Sequence, residues 1–94
     1  MQLGVVGLGR MGGNIARRLT RGGHSCVVYD RNAAAVQELA GEGCTGAADL
    51  ADLVAKLAAP RAVWVMLPAG APTEETVAAL AGLLSPGDTI IDGG

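Results

Sequence analysis

Short apolar segments alternate with amphipathic segments along the whole chain. The apolar segments predict five strands: Gln2–Val6, Ser25–Tyr29, Cys44–Thr45, Ala62–Leu67 and Thr89–Asp92. Between them, apolar residues recur three or four positions apart, which predicts helices starting at or beside Arg10, Asn32, Asp49 and Thr73. Strands that alternate with helices pair in parallel through right-handed crossovers. The pattern therefore predicts an α/β fold, a doubly wound parallel sheet with strand order 3-2-1-4-5.

The third predicted helix, which we expect Asp49 to cap, has a clean apolar stripe of Leu50, Leu53, Val54 and Leu57. The first and fourth helices also have an apolar side. In the first, Arg10–Arg21, we expect Met11, Ile15 and Leu19 to face the sheet because they lie one helical turn apart. Its arginines fall on the opposite side and are interpreted as solvated: Arg17, Arg18 and Arg21. In the fourth helix we expect Thr73 to be the N-cap. Its buried stripe is expected to be Val77, Leu80, Ala81 and Leu84.

The turn between the first strand and the first helix is a G-x-G-x-x-G run formed by Gly7, Gly9 and Gly12. Gly7 would let the chain turn sharply, Gly9 would let the backbone approach a pyrophosphate, and Gly12 would let the helix pack closely on the sheet. The start of the helix offers unpaired N–H groups, which suit an anion. A purely structural turn is the alternative. Asp30, 23 residues after Gly7, favours a Rossmann-type dinucleotide site.

Asp30 ends the second predicted strand, where an acid would accept hydrogen bonds from both hydroxyls of the adenosine ribose. Its charge would repel a 2′-phosphate, which favours NAD over NADP. A helix or turn cap is the alternative role for this acid. Arg31 has three open roles: holding a 2′-phosphate, lying on the adenine face, or pointing to solvent. Asn32 is expected to cap the second helix.

Ligands of such sheets lie beyond the carboxyl ends of the strands, where the strand order reverses. The loops expected there are Gly7–Gly12, Asp30–Asn32, Leu67–Gly70 and Asp92–Gly94. The predicted cofactor-binding residues are Gly7, Leu8, Gly9, Arg10, Met11, Gly12, Asp30, Arg31, Asn32, Leu67, Pro68 and Ala69. Arg10 either contacts the pyrophosphate or is solvated, and a plain loop is the alternative for Leu67–Ala69.

Composition narrows the function further. The 94 residues suit one domain, and the net charge is −2. The basic first third has no interleaved aromatic residues for stacking on bases, so we expect no nucleic-acid partner. Cys26 and Cys44 are interpreted as buried free thiols of a reducing compartment. Since no leader or membrane-spanning run is visible, we expect a cytoplasmic protein with no membrane partner. No catalytic constellation or metal-ligand cluster is present, and the proton-transfer group is expected outside these residues.

Three motifs resemble the N-terminal domain of 6-phosphogluconate dehydrogenase, in the β-hydroxyacid dehydrogenase superfamily. They are Gly7–Asn14, Val65–Gly70 and Ile91–Gly94. The first motif is shared across the superfamily, whereas the Asp-Gly-Gly of the last is more specific. In 3-hydroxyisobutyrate dehydrogenase and its relatives, a serine-containing pair usually follows the acid instead. The resemblance covers the whole chain.

The resemblance implies oxidative decarboxylation of 6-phosphogluconate to ribulose 5-phosphate in the pentose phosphate pathway, with reduction of a nicotinamide cofactor. It implies that residues 1–94 are the dinucleotide-binding domain of a longer, homodimeric enzyme, truncated after the fifth strand and inactive alone. Catalytic residues would then lie beyond Gly94. The triplet Asp30–Asn32 resembles that of NAD-preferring short members, whereas NADP-using members tend to carry Asn-Arg-Ser or Asn-Arg-Thr, so NADP is the second choice.

Two alternatives stay open. One is the cofactor domain of another β-hydroxyacid dehydrogenase, such as 3-hydroxyisobutyrate dehydrogenase, or of an imine-reducing relative. The other is a nucleotide-sensing Rossmann domain that performs no chemistry.

Overall fold

A parallel five-stranded sheet with helices on both faces forms the molecule. The computed structural model describes residues 2–67 and 71–92. Its strands are β1 (Gln2–Val6), β2 (Ser25–Tyr29), β3 (Thr45–Gly46), β4 (Ala62–Val65) and β5 (Thr89–Asp92). Its helices are α1 (Arg10–Arg21), α2 (Ala33–Ala40), α3 (Leu50–Lys56) and α4 (Ala71–Leu83). The order is β3-β2-β1-β4-β5 and every neighbouring pair is parallel, which confirms the predicted fold class.

The central strand β1 is covered on both faces. Val5 belongs to an apolar layer that also contains Ala16 of α1 and Leu39 of α2. Val6 belongs to the opposite layer, with Leu53 of α3 and Leu80 of α4. Successive strand residues point to opposite faces, so a strand between two helical layers needs apolar residues at every position. This explains why the strands are continuous apolar runs rather than alternating ones.

Helix α1 approaches the sheet through small residues at its start, and Leu19 of the predicted stripe packs against the same apolar layer as Ala16. Gly12 and Gly13 are buried and Ala16 is fully buried, whereas Met11 is 67% exposed. The prediction that Met11 faces the sheet is therefore wrong. A Cβ on Gly12 would collide with the carbonyl oxygen of Gly7, so the helix lies too close to the strand for long side chains between them. Ile15 is half-buried at the edge of this contact.

Arg17 of α1 links two helices, and the interpretation that it is solvated is wrong. Its Nε donates to Glu42 Oε2 at 2.8 Å, and its Nη2 donates to Glu38 Oε1 at 3.0 Å. Glu38 lies in α2 and Glu42 follows that helix. The hydrogen bond to Glu42 raises the pKa of Arg17 above its ordinary value. The arginine therefore ties α1 to α2 on the outer side of the helical layer.

Helix α4 begins two residues before the predicted N-cap. Thr73 lies inside the first turn, is 6% exposed, and donates from Oγ1 to the carbonyl oxygen of Leu67 at 3.4 Å. A proline is tolerated in a first helical turn, where its missing N–H has no intrahelical partner, so Pro72 does not stop the helix. Leu80 is fully buried as predicted, but Ala81 is exposed, contrary to the prediction.

The other differences are small shifts of element ends. Strand β4 ends at Val65 instead of Leu67, although the N–H of Met66 still donates to the carbonyl oxygen of Val6 at 2.7 Å. Strand β3 is Thr45–Gly46 instead of Cys44–Thr45. Two predicted caps are confirmed. Asn32 Oδ1 accepts from the N–H of Ala34 at 3.0 Å, and Asp49 Oδ1 accepts from the N–H of Asp52 at 2.7 Å.

A buried ion pair closes the amino end of the sheet, between the residue before β4 and the residue before β5. The Asp88 carboxylate accepts from the Arg61 N–H at 2.6 Å, from Arg61 Nη1 at 3.1 Å and from the Ser85 N–H at 2.8 Å. Its side chain is 1% exposed. Arg61 Nε donates to the carbonyl oxygens of Val54 and Leu57 at 3.0 and 3.2 Å. The sequence analysis gave no role to Arg61 or Asp88, so this ion pair was missed.

Candidate nucleotide-binding site

The site is built on the turn that leaves β1, and Gly7 makes that turn possible. Gly7 has φ +94°, a backbone conformation that residues with a side chain rarely adopt. A Cβ there would also lie 2.6 Å from the carbonyl oxygen of Met66. The N–H of Gly7 donates to the carbonyl oxygen of Tyr29 at 3.0 Å, which holds the turn against the end of β2. The sharp turn predicted at Gly7 and the close packing predicted at Gly12 are both present.

Gly9 differs from these two glycines because the fold itself does not require it. It is the N-cap of α1 with φ −63° and ψ −172°, which residues with a side chain also adopt. A Cβ on Gly9 would meet no described atom within 4 Å. No side chain caps the helix, whose first N–H groups have no intrahelical acceptor. The turn therefore presents open space in front of unpaired donors, which is the arrangement that a phosphate group needs.

The carboxylate of Asp30 joins the glycine-rich turn to the loop after β2. Its Oδ2 accepts from the N–H of Leu8 at 2.6 Å, and its Oδ1 accepts from the N–H of Asn32 at 2.8 Å. The residue is half-buried. An ionised carboxylate offers about four acceptor positions, so these two bonds leave others available. Asp30 thus performs the turn-capping role that was its alternative interpretation, and it still has acceptors for a ribose hydroxyl.

Two clefts flank Arg31 at the carboxyl end of β2. The larger, of about 430 Å³, lies between the starts of α3 and α4 and is bordered by Leu50, Glu75 and Thr76. The smaller, of about 230 Å³, lies beside α2 and is bordered by Asp30 and Gln37. Tyr29 and Arg31 border both clefts. Both clefts are partly apolar, and the smaller is bordered by Asp30 itself and the larger by its neighbours Tyr29 and Arg31, where the adenosine end of a dinucleotide would lie.

The side chain of Arg31 points to solvent, one of its three predicted roles. It is 81% exposed, and its Nη2 lies 3.9 Å from Glu75 Oε2, whose side chain is 72% exposed. Sequence reasoning did not find Glu75 as a neighbour of the site. The available signal was its place in the first half of a helix that starts at the carboxyl edge of the sheet.

Residues 2–94 match a protein-family model described as the NAD binding domain of 6-phosphogluconate dehydrogenase. The chain belongs to this family. The resemblance found in the sequence motifs is therefore confirmed, and the chain is an NAD(P)-binding domain.

Named relatives are similar over the whole chain. It is 42% identical over 94 residues to the NAD(+)-dependent, decarboxylating 6-phosphogluconate dehydrogenase of Haloferax volcanii, covering 100% of this chain and 31% of that protein. It is 42% identical over 98 residues to the decarboxylating 6-phosphogluconate dehydrogenase of Synechococcus elongatus, covering 99% of this chain and 21% of that protein. The chain thus spans less than a third of the length of these relatives.

Solved structures share the fold. The 6-phosphogluconate dehydrogenase of Plasmodium falciparum, described in its apo form and in complexes with NADP+ and with 6-phosphogluconate, matches with a TM-score of 0.90 at 27% identity. It covers 100% of this chain, which corresponds to 21% of that one. An imine reductase from Bacillus cereus matches with a TM-score of 0.82, covering 97% of this chain and 30% of that one, but at 20% identity it shows the fold alone.

Of the remaining residues predicted to bind the cofactor in this family member, those that the structure describes lie along the same rim. Leu8 is buried, so its backbone rather than its side chain faces the turn. Met11 is exposed at the start of α1, and Leu67 is half-buried after β4. Asn32 caps α2 through its side chain. The side chain of Arg10, and the residues Pro68 and Ala69, lie outside the described part of the structure.

Within residues 2–67 and 71–92, no group of three or more histidine, cysteine or acidic side chains could hold a metal ion. No helix in the same ranges is long and apolar enough to cross a membrane. Both cysteines are free and buried. Lys56, the only lysine of the sequence, donates to the carbonyl oxygen of Gly46 at 2.8 Å and pairs with Asp52 at 2.9 Å. This amine is therefore engaged in a surface contact of α3.

Proposed function

We propose that residues 1–94 are the dinucleotide-binding domain of an NAD-dependent, decarboxylating 6-phosphogluconate dehydrogenase. The observation that carries the proposal is the 2.6 Å hydrogen bond from the N–H of Leu8 to Asp30. It fixes a carboxylate, suited to a ribose, against a glycine-rich turn, suited to two linked phosphates. Membership of the NAD-binding domain family supports the same assignment.

Each part of the cofactor has matching residues on this rim. The pyrophosphate would lie at Gly9, where a Cβ would meet no described atom within 4 Å and the N–H groups of the first turn of α1 have no intrahelical acceptor. The adenosine ribose would donate to the open acceptor positions of Asp30. The adenine would occupy a cleft beside Arg31. Leu67, Pro68 and Ala69 would border the nicotinamide half. When bound, the nicotinamide would supply a hydride acceptor, and the predicted role of these residues is to orient it.

We infer a preference for NAD from the position in which backbone hydrogen bonds hold the Asp30 carboxylate. Both carboxylate oxygens are held by backbone N–H groups, at 2.6 and 2.8 Å, so the negative charge stays at the ribose end of the site. A 2′-hydroxyl can donate to this carboxylate, whereas a 2′-phosphate would be repelled by it. The neighbouring Arg31 is exposed and paired with Glu75, and it therefore compensates this repulsion only in part.

The reaction itself belongs to the longer protein of which we propose this chain is a part. There, 6-phosphogluconate would be oxidised and decarboxylated to ribulose 5-phosphate and CO2, with NAD accepting the hydride. The groups that move protons would come from outside residues 1–94, since the lysine of this chain is engaged on α3. We expect the domain alone to bind NAD without turnover. We also propose a cytoplasmic homodimer of the pentose phosphate pathway, without nucleic-acid or membrane partners.

Calorimetric titration of the 94-residue chain with NAD and with NADP tests the cofactor. We expect tighter binding of NAD, and tighter binding of NADP would overturn the role given to Asp30. Assaying the longer protein with 6-phosphogluconate tests the reaction, with NADH absorbance and released CO2 as readouts. Oxidation of 3-hydroxyisobutyrate, without any turnover of 6-phosphogluconate, would instead favour the alternative dehydrogenase.

A further inference from the structure

Three charged side chains border the larger cleft at the end of β2, and they differ in the contacts that they make with the rest of the protein. Asp49 holds the start of α3, where its Oδ1 accepts from the N–H of Asp52 at 2.7 Å. Arg31 and Glu75 are both exposed and lie 3.9 Å apart. They are 44 positions apart in the sequence, on the loop after β2 and on α4. Their contact is the only ion pair that the structure describes at the mouth of this cleft.

The Arg31–Glu75 pair lies where the site would distinguish NAD from NADP. These two dinucleotides differ by one phosphate on the adenosine ribose. A guanidinium next to the ribose can hold that phosphate with two parallel hydrogen bonds. Here the guanidinium already has an anionic neighbour, so a phosphate would have to displace Glu75 or share Arg31 with it. Both options cost free energy, because two anions then crowd one cation. An uncharged 2′-hydroxyl meets neither cost.

We propose that Glu75 is a specificity-determining residue that occupies Arg31 and so biases the site toward NAD. This rests on the proposed function, since it places the adenosine ribose beside Asp30 and Arg31. The preference for NAD would then depend on two acidic residues: Asp30 on the loop after β2, and Glu75 on α4. Glu75 acts through Arg31 and therefore needs no contact with the cofactor.

The test compares the NADP-to-NAD affinity ratio of five proteins by calorimetric titration: the 94-residue chain, Glu75→Gln, Glu74→Gln, Arg31→Gln and the double variant Arg31→Gln/Glu75→Gln. Glu74 is the matched control because it is exposed in the same helical turn, and none of the described ion pairs includes it. We expect Glu75→Gln to raise the ratio about two- to fivefold, which is the scale of an exposed ion pair. Glu74→Gln should leave the ratio within about 1.5-fold, because no described cation depends on its charge.

A double-substitution cycle separates the ion pair from simple repulsion. In the Arg31→Gln background, Glu75→Gln should no longer change the ratio, because the cation through which it acts is absent. A full effect of Glu75→Gln in that background would overturn the proposal, and so would an equal effect of Glu74→Gln. An unchanged ratio in Glu75→Gln, with NAD still bound, would overturn this proposal and leave the proposed function standing. A parent chain that binds neither dinucleotide would overturn both.

Discussion

Two aspartates at opposite ends of the sheet each accept a short hydrogen bond from a backbone N–H group, but their surroundings differ. At the amino end, Asp88 accepts from the N–H of Arg61, and at the carboxyl end, Asp30 accepts from the N–H of Leu8, each at 2.6 Å. Asp88 also binds the Arg61 guanidinium and is 1% exposed. Asp30 is half-buried, and no described cation pairs with it.

This difference in exposure and in hydrogen bonding points to a structural role for the amino end of the sheet and a binding role for the carboxyl end. Arg61 and Ser85 take three of the roughly four acceptor positions of Asp88, so this carboxylate links β4 and β5 at the amino end of the sheet. The acceptors of Asp30 are filled in part, beside a helix start without a side-chain cap and beside two clefts. Stability is expected to depend on the amino end and ligand binding on the carboxyl end.

Substitution of Gly9 by valine should separate binding from folding at the carboxyl end. A Cβ at Gly9 would meet no described atom within 4 Å, so the loss of stability should stay within about 1 kcal/mol, the scale of an N-cap change. The side chain would fill the space in front of the unpaired N–H groups, and NAD affinity should fall at least about a hundredfold. Gly82→Val is the matched control, because Gly82 on α4 also has open space around it. NAD affinity should be unchanged in that control, with both proteins followed by calorimetry and thermal melting.

Substitution of Asp88 by alanine should give the larger loss of stability of the two aspartates. It removes the acceptor of two backbone N–H groups and leaves Arg61, whose side chain is 21% exposed, without its carboxylate partner. At a temperature where the variant is folded, its NAD affinity should match that of the parent chain. Chemical denaturation and titration of the same samples measure both quantities. A smaller loss of stability in Asp88→Ala than in Asp30→Ala would contradict the structural role given to the amino end of the sheet.

Substitution of Asp30 by alanine should have the opposite profile. NAD affinity should fall about ten- to a hundredfold, since hydrogen bonds to a charged acceptor are lost. Stability should fall by about 1–2 kcal/mol, because the N–H groups of Leu8 and Asn32 lose an acceptor at a partly solvated position. Asp30→Asn keeps one acceptor oxygen and should recover part of the stability but little of the affinity. Unimpaired NAD binding by Asp30→Ala would contradict the ribose role.

The pH dependence of stability should distinguish the two ends with a smaller effect. Hydrogen bonds from the backbone N–H groups of Arg61 and Ser85 lower the pKa of Asp88 below its ordinary value of 3.8. A lowered pKa in the folded state contributes stability that is fully present above the ordinary value. That stability is lost as the pH falls through the folded-state value. The pKa of Asp52 is also lowered, chiefly by the N–H of Ala48, and contributes with the same sign.

Denaturation between about pH 7 and pH 3 measures this loss. The parent chain should lose stability below about pH 4, and Asp88→Asn should show a shallower loss over the same range. An identical slope in the variant would mean that Asp88 does not carry the effect.

Much of the fold follows from local patterns in the sequence. The bounds of β1, α1, β2 and β5 were predicted correctly, because apolar runs and helical periods there end at glycines or polar residues. The capping roles of Asn32 and Asp49 follow from side chains that bond backbone two or three residues away. The glycine-rich turn is also readable, since the geometry at Gly7 and Gly12 depends on neighbouring residues and a common strand–turn–helix unit.

The errors have a common physical source, which is contact between segments far apart in the chain. Met11 is exposed because the approach of α1 to the sheet is set by Gly12 against Gly7, and helical periodicity alone does not report that distance. Arg17 is held by Glu38 and Glu42 across a helix–helix contact. The Arg31–Glu75 and Arg61–Asp88 pairs are likewise long-range. No local pattern indicates which charges will meet.

A crystal structure of the 94-residue chain with bound NAD would test directly whether the dinucleotide binds at the glycine-rich turn and Asp30. We predict that the pyrophosphate lies at Gly9 against the first turn of α1, and that a hydroxyl of the adenosine ribose donates to the Asp30 carboxylate. A dinucleotide bound elsewhere on the molecule, with the space in front of Gly9 empty or filled by a side chain of the protein, would contradict it.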